Sequence, residues 1–242
     1  MEELKVKAIV LNSRDYKEKD KLVELYSLEQ GKITVLLKGC KMPTSKLRFA
    51  YQSFCFADFL LVKNNNFYVV TNCNLIDSFY DLVNDTSNFI KASLMLEIAD
   101  NLKYVTETQG VFLNLLYALK AICYEKIDCK IVCTKFILEV LKILGYKPNF
   151  NTCLVCKLPF INSVYLNLDS GAFVCNNCTN GQDVSVSKNQ LACMKIIDNC
   201  EYERLGSIKI KNEVLNEIVD LLVENLEIRI GTKLKSKEML KF

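Results

Sequence analysis

No histidine occurs anywhere in the 242 residues. That absence removes Ser-His-Asp and Cys-His nucleophilic catalysis, mixed Cys/His zinc sites and the histidine-bearing deaminase signature. Neither a Gly-x-x-x-x-Gly-Lys-Ser/Thr loop nor a Gly-x-Gly-x-x-Gly turn is present, so two common phosphate cradles are missing as well. No apolar run is long enough to span a bilayer, and the opening Met1-Glu2-Glu3-Leu4-Lys5 has no apolar signal core. The expectation is a cytoplasmic protein without a membrane partner. Carboxylate pairs such as Glu201 and Glu203 read as ordinary surface charge, and with no catalytic set in view the chain reads as no enzyme. Net charge is only +3, so any basic surface must be local. There are no internal repeats and no low-complexity tract.

Cysteine, by contrast, is abundant, with twelve residues. At that frequency chance alone places roughly half a Cys-x-x-Cys in the chain, so one such pair would mean little. Two pairs stand at compatible spacing, Cys153 with Cys156 and Cys175 with Cys178. Each pair can grip one side of a tetrahedron from a tight knuckle, and a returning hairpin brings the two together. The flanks, Asn-Thr-Cys-Leu-Val-Cys-Lys and Phe-Val-Cys-Asn-Asn-Cys-Thr-Asn-Gly, are rich in residues that tolerate positive φ. Four thiolates leave no open coordination position, so the expectation is one structural Zn2+. The other eight (Cys40, Cys55, Cys73, Cys123, Cys129, Cys133, Cys193 and Cys200) are unpatterned and read as small buried hydrophobes in a reducing compartment.

Hydropathy periods divide the chain into an α+β architecture. Residues 1–80 read as five short strands, suggesting a small closed sheet of the OB type. Leu4, Val6, Ala8 and Val10 alternate in the first; Leu22 to Leu28, Lys32 to Lys38, Phe54 to Val62 and Phe67 to Cys73 follow. Gly31 turns the chain, and Asn64-Asn65-Asn66 reads as a hairpin turn. Residues 81–242 read as a helical domain with a zinc ribbon inserted at 150–182. Asp85, Thr86 or Ser87 can cap a first helix through Leu102; Val111 to Tyr124 makes a second, and the Ile131–Leu144 stripe, closed by Gly145 and Pro148, a third. Ser187 and Asn212 read as caps of the last two helices, and Lys233 to Lys237 as a loose basic tail.

Between Glu29 and Asp58 there is no carboxylate, while Lys32, Lys38, Lys41, Lys46 and Arg48 fall in that interval beside Phe49, Tyr51, Phe54 and Phe56. Cations for phosphates next to rings for bases are the ingredients of a single-strand binding groove. Phe54 and Phe56 alternate within a predicted strand and read as core. The five cations and Tyr51 are the candidate DNA-binding residues.

Taken in order, the chain resembles the RecO family of bacterial recombination mediators. The matching stretches are Val10-Leu11 through Arg14-Asp15-Tyr16-Lys17-Glu18-Lys19-Asp20, Gly31-Lys32, Lys38-Gly39, Ser45-Lys46-Leu47, Leu96-Glu97-Ile98 and Leu234-Lys235-Ser236. The most specific is Leu144-Gly145-Tyr146-Lys147-Pro148 followed by the two cysteine pairs, with Gly171 between them. Ser53 stands where the family commonly has Pro, and Cys40 and Met42 where more basic residues are usual. The resemblance implies an N-terminal OB domain, a helical domain and a zinc ribbon. It implies a non-enzymatic, nucleoid-associated protein that binds single- and double-stranded DNA, anneals strands and binds RecR. It also implies binding to the C-terminal tail of single-stranded DNA-binding protein, and help for RecA in displacing that protein. The rival readings are a zinc-stabilised interaction scaffold without nucleic-acid affinity and a zinc enzyme.

Overall fold

The computed structural model describes residues 3–64, 67–102 and 105–237. The chain divides into two compact units, Met1–Cys123 and Tyr124–Phe242.

In the first unit, strands β1 (Glu3–Asp15), β2 (Lys21–Ser27), β3 (Gly31–Leu37), β4 (Phe56–Asn64) and β5 (Phe67–Asp77) form a closed barrel in the order β1-β2-β3-β5-β4. β4 returns to pair with β1, and β3 meets β5 in parallel. This is the five-stranded barrel of an OB-type fold. Alternation fills the lumen: Val6, Ala8, Val10, Val23, Leu25, Val35, Leu37, Ala57, Phe59 and Leu61 all point inward. A bulge between Val10 and Asn12 lets β1 bend around the barrel. The predicted turn at Asn64-Asn65-Asn66 is flanked by the pair Asn64 and Phe67; residues 65–66 lie outside the described residues.

The outer wall is also apolar, because helices cover it. Ile9 and Tyr26 are buried on the face where α2 (Thr86–Asn101) and α3 (Thr108–Cys123) pack. Phe56 meets Phe112 of α3 at a ring distance of 6.0 Å, and Phe54 meets Phe89 of α2 at 5.4 Å. Both phenylalanines are therefore buried as expected, but Phe54 is not part of a strand. It precedes β4 with φ of 71° and packs beneath a helix instead of in the lumen. Gly31 holds φ of +66° at the β2–β3 turn, and a Cβ there would stand 2.6 Å from the Thr108 methyl, so the turn and the start of α3 both require glycine. Asp85 is the residue that caps α2, accepting from the Asn88 amide. A short helix, α1 (Tyr80–Asn84), links barrel to helices.

The second unit is built on α4 (Cys129–Ile143), α5 (Lys188–Asp198) and α6 (Asn212–Ile230), with a ribbon of β6 (Val164–Asn167), β7 (Ala172–Cys175) and β8 (Val184–Val186) between α4 and α5. Ser187 and Gln190 close a reciprocal capping box on α5. The expected cap at Asn212 is not formed: Lys211 occupies the cap position without a side-chain bond, and Asn212 is the first helical residue. α4 and α5 are joined by ions. Lys142 lies 2.9 Å from Glu139 and 2.7 Å from Asp198, and Lys135 donates to the Asp198 carbonyl at 2.9 Å.

The tail departs most from expectation. Lys233 to Lys237 is not loose, because Glu227 of α6 anchors it. The buried carboxylate accepts the Leu234 amide at 2.7 Å and pairs with Lys233 at 3.1 Å and Lys237 at 3.6 Å, while Leu234 itself is buried. Burial pushes the Glu227 carboxyl upward, but the amide and the two ammonium groups outweigh it and hold it below its ordinary value. A carboxyl lowered in this way adds stability above its unfolded pKa and loses it as pH falls through the lowered folded value. Glu227→Ala leaves the Leu234 amide without its acceptor, at a cost of about 1–3 kcal/mol. Trypsin should then cut at Lys233 and Lys235 under conditions where the parent chain resists, as read by mass spectrometry.

Candidate metal centre and nucleic-acid interface

Two knuckles build the cysteine cluster. In the first, the Lys157 amide returns to the Cys153 carbonyl at 3.0 Å, with Lys157 at φ of 62°; in the second, the Cys178 amide returns to the Cys175 carbonyl at 3.0 Å. The β6–β7 hairpin carries the second knuckle back to the first. The Sγ atoms of Cys153, Cys156, Cys175 and Cys178 all lie within 4.8 Å of one another. Cys156 and Cys175 are 3.8 Å apart, which is about the edge of a tetrahedron of four sulfurs at 2.3 Å from a central ion. Cys153 is buried and the other three are at least partly open to solvent.

Cys153 and Cys178 are shifted in opposite directions. Burial would raise Cys153, but amides of Cys156, Cys175 and Val155 prevail and bring it to about 6. Cys178 is pushed up to about 12 by desolvation and by the neighbouring cysteines. Four thiolates within 4.8 Å of one another repel strongly unless a cation lies among them. The donor set therefore fits a thiophilic divalent ion.

The hairpin is fastened at its far end by a residue that the sequence reading missed. Arg229 of α6 donates to the carbonyls of Leu168 and Asp169 at the β6–β7 turn and lies 4.9 Å over the Tyr146 ring. Gly171 in that turn has φ of +70°, and a Cβ would stand 3.0 Å from the Arg229 Nε. No periodicity announces such a clasp; an arginine near the end of an otherwise amphipathic helix was its only trace.

At one end of the barrel two connections meet, that between β1 and β2 and that after β3. The Lys41 amide donates to the Lys19 carbonyl at 3.1 Å, and the Gly39 amide to Asp20 at 2.8 Å. Asp15 accepts from Lys21 at 2.8 Å and from Lys41 at 2.9 Å, and these bonds hold its carboxyl down at about 2. Of the predicted cations, Lys38, Lys41, Lys46 and Arg48 lie in the connection that follows β3. Among the described residues, Lys38, Lys46 and Arg48 have no ion-pair partner, and all three are exposed. Tyr51 closes a 3-10 turn, Arg48–Tyr51, packs partly onto the lumen and receives Lys21 over its ring at 5.0 Å. Lys32 is elsewhere. It stands six strand positions from Lys38, roughly 20 Å away along β3, and pairs with Asp100 of α2 at 2.7 Å. The interval free of carboxylates in sequence is thus supplied with them by distant segments.

The family model described as Recombination protein O N terminal matches residues 1–79, and that described as Recombination protein O C terminal matches residues 83–238. The chain belongs to the RecO family. Relatives called DNA repair protein RecO include those of Clostridium kluyveri, 29% identical over 98% of this chain and 93% of the relative, and Clostridium novyi, 28% identical over the same shares. The Clostridium perfringens protein of that name is 28% identical over 97% of this chain and 96% of its own. RecO proteins form a DNA-repair family and not a known class of enzymes. Among the described residues no helix is long and apolar enough to cross a membrane.

For this RecO chain the cluster geometry sets a direct test. Metal-free, reduced protein titrated with Co2+ should develop thiolate charge-transfer absorption that saturates near one ion per chain. Cys175→Ser should weaken binding at least tenfold and lower that absorption, whereas Cys200→Ser should change neither.

Proposed function

We propose that this protein is a non-enzymatic recombination mediator whose barrel binds single-stranded DNA with little sequence preference. In this reading residues 1–80 form the DNA-binding domain, and residues 81–242, with the ribbon at 150–182, form the helical domain. Cys153, Cys156, Cys175 and Cys178 hold one Zn2+ that stabilises the ribbon and takes no part in chemistry. The protein also binds double-stranded DNA, anneals complementary strands and, with RecR, helps RecA onto strands covered by single-stranded DNA-binding protein. The acidic, apolar C-terminal tail of that protein is a further partner, guided by charge and held by an apolar pocket. The work takes place in the cytoplasm, at the nucleoid.

One observation carries the DNA reading: Lys38, Lys46 and Arg48 stand exposed and without ion-pair partners, among the described residues, where the barrel's connections meet. Lys41 adds to them in part, because Asp15 already engages it. Lys32 contributes least, being held by Asp100. The pairing of those two lysines favours the second reading, a zinc-stabilised interaction scaffold without nucleic-acid affinity.

Salt dependence separates the two. Three to four phosphate contacts on a single strand give a slope of log affinity against log salt of about −2 to −3. Lys46→Ala with Arg48→Ala should flatten that slope by about one to two units. Asp15→Asn should do the reverse, steepening the slope by up to about one and a half units, because Lys21 and Lys41 are released toward phosphate. Filter binding of a homothymidine strand across a salt series reads all three proteins, and no binding at the lowest salt would establish the scaffold.

A further inference from the structure

Tyr16 lies in the connection from β1 to β2, and Phe67 opens β5 just after the β4–β5 connection. Folding brings the two rings together edge to face, with centroids 6.3 Å apart and planes at 62°. Neither serves the core. Tyr16 is 43% exposed and Phe67 36%, and both lie outside the cluster that fills the lumen. An edge-to-face pair leaves ring faces uncovered, since the ring that offers its edge keeps both of its own. A cation is already at hand: the Lys17 Nζ lies 5.5 Å from the Tyr16 ring centre. The carboxylates beside Tyr16 are engaged, Asp15 by Lys21 and Lys41 and Asp20 by the Gly39 amide.

We propose that Tyr16 and Phe67 form a stacking platform for the unpaired bases of single-stranded DNA, with Lys17 beside them for a phosphate. This rests on the barrel's being the DNA-binding part and goes beyond it by assigning the base-contacting rings. Tyr51 is less suited to the task, because it is partly packed on the lumen. Tyr16 lies in the β1–β2 connection, one of those through which five-stranded barrels of this type meet oligonucleotides, and Phe67 opens β5 beside it. Stacking is tolerant of sequence, since every base offers a π-face; Lys17 and Lys19 against Glu18 give the β1–β2 connection a net positive charge that suits an anionic strand, and the exposed rings favour one that carries bases.

The test uses the full chain and two strands of equal length, one homothymidine and one abasic, which carry the same phosphates. Tyr16→Ala with Phe67→Ala should weaken binding of the homothymidine strand by about 5- to 150-fold, the equivalent of roughly 1–3 kcal/mol of stacking. Binding of the abasic strand and both salt slopes should be unchanged. Tyr16→Phe with Phe67→Tyr, which keeps the rings, should bind as the parent does. Photocrosslinking of an iododeoxyuridine strand to the parent protein should place the adduct on Tyr16 or Phe67. If the parent prefers bases over abasic sites and the alanine variant keeps that preference, the platform is wrong while the barrel still binds DNA. Equal losses on both strands would likewise overturn it, because they report phosphate contacts or folding. A parent protein that binds neither strand at low salt would remove the DNA-binding reading itself, and this inference with it.

Discussion

Closure of the barrel is the constraint from which the first unit follows. It depends on a short parallel contact, Val35 beside Tyr68 and Leu36 beside Val69, between strands that are otherwise joined antiparallel to other partners. Without it the sheet would have two free edges and a half-covered apolar face. With it, Phe59, Leu25 and Leu37 share one lumen. The connection after β3 is brought onto the one before β2, and Phe67 onto Tyr16. An outer wall bearing Ile9, Tyr26 and Phe56 then needs its own cover, which α2 and α3 provide. The loops that gather cations are a product of the same closure that hides the core.

Cysteine plays two chemical parts in this chain, and position decides which. Cys55 and Cys73 line the barrel, where burial pushes their thiols up to about 12, so they remain protonated and behave as small apolar groups. Seven of the eight unpatterned cysteines are buried; Cys200 alone of them is partly exposed. In the ribbon, knuckle amides point at sulfur and favour the thiolate, as at Cys153. The distinction was legible from spacing, because a Cys-x-x-Cys knuckle is a local structure and needs no knowledge of the rest of the fold.

Features with local causes are legible in the sequence: the strands from alternation, the helices from their stripes, and the cap at Ser187, though not the partner Gln190 that completes its box. Phe54 is interior for a reason that strand alternation does not show: a helix, α2, reaches it from outside with Phe89. Charge was harder. The stretch without carboxylates looked unopposed, yet Asp15 and Asp100 reach Lys41 and Lys32 from other elements. Five residues of mostly basic character suggest a loose tail and say nothing of Glu227, which sits buried in a helix. Pairings of distant residues are set by topology, and one sequence does not display topology at the level of single side chains.

Arg229 and Glu227 stand two positions apart near the end of α6, one fastened to the ribbon's turn and the other to the tail. The ribbon is thereby moored at the end opposite its sulfurs. An ion held by the four cysteines would be reached at the knuckles, where Cys156 is exposed, and opening there does not require the hairpin to leave the helix. Its release would need only one knuckle to fray, and its return would be an encounter from solution with a site whose far end has stayed in place. Exchange of such an ion would therefore not require the helical unit to pass through its unfolded state.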